Sequence, residues 1–141
     1  MMKYIFTLVC LLIPSLAFSA QNDWEGVKTL KCTFNNGAYL DDKNIKITDK
    51  PFGDNPTLII DSINIKNKTA RAIGNAGADN VVILDSGEIL TLIDKTMSGN
   101  LIFTGISKKD DGKFYIVTSR HTLIGKEPVF SQSYGTCELF N

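Results

Sequence analysis

Apolar residues recur along this chain in short runs, and clusters of Gly, Asn, Asp and Pro separate the runs. Strict alternation is clearest at Ile45-Lys46-Ile47-Thr48 and at Ile63-Asn64-Ile65. A period of two sends neighbouring side chains to opposite faces of a strand. Nine strands are expected, over residues 30–34, 45–48, 57–65, 69–73, 81–84, 89–93, 100–107, 113–118 and 134–140. Asn35-Asn36-Gly37 reads as the turn that closes the first strand, and residues 49–56, with two prolines and a glycine, read as a loop. Residues 74–80 read as a turn rich in Gly, Asn and Ala. Asp85-Ser86-Gly87 and Asp110-Asp111-Gly112 are hairpin signals. Residues 121–131, carrying Pro128, read as one longer loop. No stretch has the 3.6-residue apolar period of a helix, though residues 22–30 leave room for one helical turn near Trp24.

Regularly spaced short strands with turn signals predict an all-β domain. Consecutive short hairpins favour a small antiparallel meander closing into a barrel, with a β-sandwich as the alternative. Residues 89–93 and 101–103 are apolar at nearly every position, so both faces of those strands carry apolar groups. Either both faces are buried, or one of them lines a pocket or a partner surface.

The N-terminal pattern differs. Lys3 is followed by an apolar run over residues 4–13, a break at Pro14-Ser15, and the small-x-small sequence Ala17-Phe18-Ser19. That order predicts an export signal over residues 1–19, cut after Ser19 or alternatively after Ala20, and a single domain over residues 20–141. The run is too short for a bilayer, which takes about 20 apolar residues, so no transmembrane anchor is expected after cleavage. The expected location is the periplasm or the medium.

The chain has 15 basic and 15 acidic residues. Loss of Lys3 leaves 14 against 15, a net charge of −1, and no basic stripe that would hold nucleic acid. Cleavage also removes Cys10, leaving Cys32 and Cys137, 105 residues apart. In an exported chain two cysteines are most simply a disulfide, with two buried free thiols as the alternative. Closing so long a loop stabilises by roughly 4–5 kcal/mol in the chain-entropy model. Two cysteines and one histidine without C-x-x-C spacing make a poor zinc site, and no metal or cofactor is expected.

Candidate chemistry is sparse. Ser119 and His121 share a face if the strand continues, at roughly 6.5–7 Å between Cα atoms, which is long for a nucleophile–base pair. Arg120 would point the other way. Residues 74–79 lack the G-K-[ST] ending of a phosphate loop and lead into a strand. Asp41-Asp42 and Asp110-Asp111-Gly112 lack the spacing of a calcium loop. Asn67-Lys68-Thr69 matches a glycosylation sequon by pattern.

Ser119-Arg120-His121-Thr122 followed by Ser131-Gln132-Ser133-Tyr134-Gly135-Thr136-Cys137 resembles the C-terminal half of a family of small exported bacterial and phage-borne proteins. In these an S-R-H-T segment precedes a Y-G-[TS]-C end. Leu90-Thr91-Leu92-Ile93, Ser98-Gly99-Asn100 and Lys31-Cys32-Thr33 also fit. The resemblance covers about the last 60 residues. It implies export and a common fold, and carries no activity. Ser119, Arg120, His121 and Tyr134 are the candidate binding residues. The expected function is non-enzymatic binding of a protein partner, of the kind shown by cell-wall-hydrolase inhibitors; that example rests on size, class and compartment alone. A carrier of a small apolar ligand is the first alternative, and a small hydrolase using His121 the second.

Overall fold

The computed structural model describes residues 24–41, 44–96, 99–124 and 127–141. The expected leader, and with it Cys10, lies outside them, as do Asp42 and Ser98. The described residues form nine strands: β1 (Leu30–Asp41), β2 (Asn44–Thr48), β3 (Thr57–Asn64), β4 (Thr69–Gly74), β5 (Gly77–Ser86), β6 (Ile89–Lys95), β7 (Leu101–Lys108), β8 (Phe114–Ile124) and β9 (Glu127–Leu139). Every neighbouring pair is antiparallel. Strands β3 to β9 run as a meander, and β1 pairs with both β3 and β9. The result is an eight-stranded barrel, as the hairpin spacing predicts. β2 stands outside the ring. It pairs only with the far half of β1, Gly37–Asp41, and leaves Ile45 and Ile47 exposed on a free edge.

Three boundaries differ from the sequence expectation, each because tertiary pairing outranks local turn chemistry. Asn35-Asn36-Gly37 is not a turn. β1 continues through it, with a bulge between Phe34 and Asn36 against β9. A bulge takes one extra residue without ending a strand. The turn expected over residues 74–80 shrinks to Asn75-Ala76, because Gly77 already pairs with Gly74. Residues 121–131 are not a loop. β8 and β9 stay paired out to Ile124↔Glu127, well past the last β7 partner at Leu101↔His121. Pro128 is tolerated there because this part of the hairpin has lost its outer neighbours.

The seam is set by the β1–β9 register, which puts Cys32 opposite Cys137. The two are joined in a disulfide with Cα atoms 3.9 Å apart, and both are buried. Two residue pairs further on, Gly135 faces Phe34. A Cβ on Gly135 would overlap the Thr33 carbonyl oxygen and lie 2.7 Å from Phe34 Cα, so glycine is required where the two backbones meet.

Inward positions follow the period of two. Leu30, Ile60, Ile83, Leu90 and Ile106 are fully buried in one half of the barrel. Trp24 plugs that end: its ring lies 5.7 Å from Phe114, and its Nε1 donates to the Gly87 carbonyl at 3.0 Å. The residues around it form a turn, with Val27 N–H donating to the Trp24 carbonyl, and not a full helical turn. Trp24 is therefore a core residue, not a surface contact.

Two outcomes are expected from the seam. A C32A/C137A variant should unfold in urea with about 2–4 kcal/mol less stability than the oxidised protein. Gly135→Ala should cost about 3 kcal/mol or more, since the clash is with backbone that cannot rotate aside.

Candidate functional site

The other end of the barrel is open. Successive rings of inward side chains on β6 to β9 can be read from the register. Leu90, Ile106, Ile116 and Gly135 form the closed, apolar ring. The next ring toward the mouth is Leu92, Thr104, Thr118 and Ser133, and the next is Asp94, Ile102, Arg120 and Ser131. Polarity thus rises step by step along the axis. On the opposite wall Ile60 faces Ala72, and Ala72 faces Asp79.

These upper rings surround a cavity of about 360 Å³. Phe34, Leu58, Ile60, Val81 and Leu92 give it an apolar floor, and Pro51 and Phe52 of the 49–56 loop border it. Phe52 is held there by its ring contact with Phe34 at 4.7 Å between centroids. Asn75, in the β4–β5 turn, donates to the Asn55 carbonyl at 3.2 Å and ties the loop to the rim. The space exists because the inward residues near the mouth are small: Ala72, Gly74, Ser131 and Ser133 line it. An eight-stranded barrel is just wide enough for full-sized side chains to fill, so small ones leave a lumen.

The polar groups differ in how well they are satisfied. Thr104 Oγ1 and Thr118 Oγ1 bond each other at 3.2 Å, buried. Three charged side chains line the cavity: Asp79, Asp94 and Arg120. Asp94 Oδ1 is buried and has no hydrogen-bond partner. Burial pushes the Asp94 carboxyl up from its ordinary pKa; Asp79 adds to the shift and Arg120 opposes it. Asp94 and Arg120 sit two strands apart across Ile102, about 10 Å between backbones, and form no direct ion pair. The β5–β6 register, carried past Val82↔Ile93, sets Asp79 diagonal to Asp94, at roughly 7–8 Å.

The four candidate residues from the sequence do not meet in one site. Arg120 points into the lumen. Ser119, His121 and Tyr134 belong to the outer wall, as the alternation requires. Ser119 Oγ accepts from Gln132 Nε2 at 3.1 Å, and Tyr134 is 56% exposed. His121 sits edge-on to Phe103 at 6.4 Å, in a shallow groove with Leu101, Thr122, Pro128 and Phe130. No carboxylate is among the described residues of that groove, so no base–acid pair is assembled around His121. Among the described residues no group of three His, Cys, Asp or Glu stands close enough to share a metal. No helix of the described residues is long and apolar enough to cross a membrane.

Asp79 and Asp94 were hidden in the sequence among fifteen scattered acids. The signal that finds them is parity. Leu90-x-Leu92-x-Asp94 and, read backwards, Ile83-x-Val81-x-Asp79 run from apolar to charged on a single face. An inward face that turns polar at one end marks an opening.

The chain matches no protein-family model, no curated protein and no solved structure.

Asp94 also sets a pH dependence. A carboxyl with a raised pKa holds its proton more tightly in the folded state. Stability is therefore expected to fall as pH rises from the ordinary carboxylate value through the raised one. Asp94→Asn should flatten this segment of the pH–stability curve and raise the Tm at pH 7; thermal melts across pH 4–8 check it, and an unchanged slope counts against a desolvated Asp94.

Proposed function

We propose that the protein is a non-catalytic binding protein, exported to the periplasm or the medium, whose lumen takes one small ligand with an apolar body and a polar head. The observation that carries this reading is the open cavity of about 360 Å³ with an apolar floor and a charged mouth. Ligand pockets fall in the range of roughly 300–1,000 Å³ and combine apolar lining with a few placed polar groups. The buried Cys32–Cys137 disulfide fits an oxidising compartment. The resemblance to exported proteins with S-R-H-T and Y-G-[TS]-C segments supports the same compartment.

A second reading keeps the protein partner. Leu101, Phe103, Val117, Phe130 and Tyr134 are all at least 38% exposed. They lie on the outer face of adjacent strands β7, β8 and β9. The Ser119–Gln132 pair interrupts this apolar surface, and exposed apolar clusters are a feature of interaction sites. Here His121 and Tyr134 would be contact residues and Arg120 would not.

One titration separates the two. N-phenyl-1-naphthylamine, neutral at pH 7, should bind with 1:1 stoichiometry and brighten. Ala72→Phe, which fills the lumen, should weaken it at least about tenfold, while Tyr134→Ser on the outer wall should leave it unchanged. The reverse pattern favours the outer wall. Circular dichroism of A72F confirms that the barrel still folds.

A further inference from the structure

Resting on the lumen reading, we infer that the ligand's head is a neutral oxygen acceptor, of the ketone or amide kind, seated inside the lumen on a row of hydroxyls formed by Thr104, Thr118 and Ser133. The register of β7, β8 and β9 sets the three side by side, Thr104 opposite Thr118 and Thr118 opposite Ser133. Side chains directly opposite on antiparallel strands stand about 4.5–5.5 Å apart at Cβ. All three line the cavity, and they are only 7, 8 and 5% exposed. Their hydrogen bonds do not balance. Thr104 Oγ1 and Thr118 Oγ1 share one bond at 3.2 Å. A hydroxyl has a single proton to donate, so whichever threonine donates, the other keeps its proton unspent. Ser133 Oγ has no hydrogen-bond partner among the described residues. Unlike Asp94 Oδ1, it is not sealed off from the lumen. On the β1 side its opposite number is Gly37, which offers no side chain to bond it. Two O–H groups are thus unspent on one stretch of the cavity wall.

Donor count and charge both point to a neutral acceptor. Buried polar groups in folded proteins are paired as a rule, and a donor left unpaired there costs free energy. One carbonyl oxygen has two lone pairs and can take both protons. A charged head fits this place poorly. From β6 through β9 to β1 the ring is Leu92, Thr104, Thr118, Ser133 and Gly37, with no charged member. Asp94 and Arg120 stand two residues further along their strands, toward the mouth. A charge carried below them would lose its water without gaining a counter-ion. Phe34, Leu58, Ile60 and Val81 line the rest of the cavity with apolar side chains, so the body attached to the head is hydrocarbon.

The test uses four probes of similar size: acetophenone, its hydrocarbon isostere α-methylstyrene, 1-phenylethylammonium and benzoate. Each displaces N-phenyl-1-naphthylamine from the oxidised protein at pH 7. Acetophenone should bind more tightly than either charged probe. Ser133→Ala and Thr118→Val should each weaken acetophenone about fivefold, the margin of one neutral hydrogen bond, while α-methylstyrene binds as before. The ratio of the two affinities is the readout, since a variant that merely loosened the barrel would weaken both probes alike. A ratio unmoved in both variants would overturn the neutral head and leave the lumen reading standing. Tightest binding of benzoate or of 1-phenylethylammonium would overturn it in favour of the charged groups at the mouth. Failure of the naphthylamine and all four probes would overturn both readings.

Discussion

An eight-stranded sheet becomes a barrel only if its first and last strands pair, and β1–β9 is where this chain meets that requirement. The register fixes which residues face inward on both strands, since a slip of one residue would turn every side chain to the other face. Two features hold it. The disulfide clamps Cys32 to its partner Cys137, and Gly135 lets the β9 backbone reach the bulged segment of β1 around Phe34. Gly37, further along β1, is under similar pressure. A Cβ there would come within 2.7 Å of Pro51 Cβ and 2.9 Å of the Gln132 carbonyl oxygen. The seam therefore positions the 49–56 loop, and with it Phe52, at the mouth. The Tyr134-Gly135-Thr136-Cys137 segment thus has a structural account in two of its four residues.

From that closure the interior follows as a gradient. Large aliphatic groups and Trp24 fill the end where the chain enters, and side chains shrink and become polar toward the other. Apolar burial at the closed end is the main favourable term, at about 25 cal/mol per Å² removed from water. The open end contributes less, for its small residues leave space and Asp94 is held against its preference for water. The barrel divides its length between a half that stabilises and a half that leaves room.

The sequence made the first half legible and the second only partly. Strand number, hairpin order and the disulfide follow from local signals: β-branched runs, turns such as Asp110-Asp111-Gly112, and two cysteines bracketing the body. What local signals missed were features set by partners distant in the chain. Asn35-Asn36-Gly37 carries strong turn chemistry, yet β9 pairs along it and makes it strand. Residues 121–131 contain a proline and few apolar alternations, yet β8 and β9 pair through most of them. The candidate residues followed the same pattern. Period two correctly set Arg120 apart from Ser119 and His121. Which side was the interior depended on the closure, and only the closure revealed that the lone inward member, Arg120, shares a lumen with Asp79 and Asp94.

The mouth also violates rules that a purely structural barrel would obey. Filling a cavity is a common route to greater stability, and removing a desolvated charge relieves its cost. Larger residues at Ala72 or Ser133 would do the first, and an amide at Asp94 the second, each by a single substitution. Local departures of this kind gather at functional sites, where stability is given up for something else. The outer wall departs too, with its exposed Phe103 and Phe130, but exposed apolar groups cost little and occur on many surfaces. A desolvated carboxyl on the wall of an open lumen is the rarer and costlier feature. That difference in cost is why the lumen, and not the outer wall, is the stronger candidate for the site at which this protein acts.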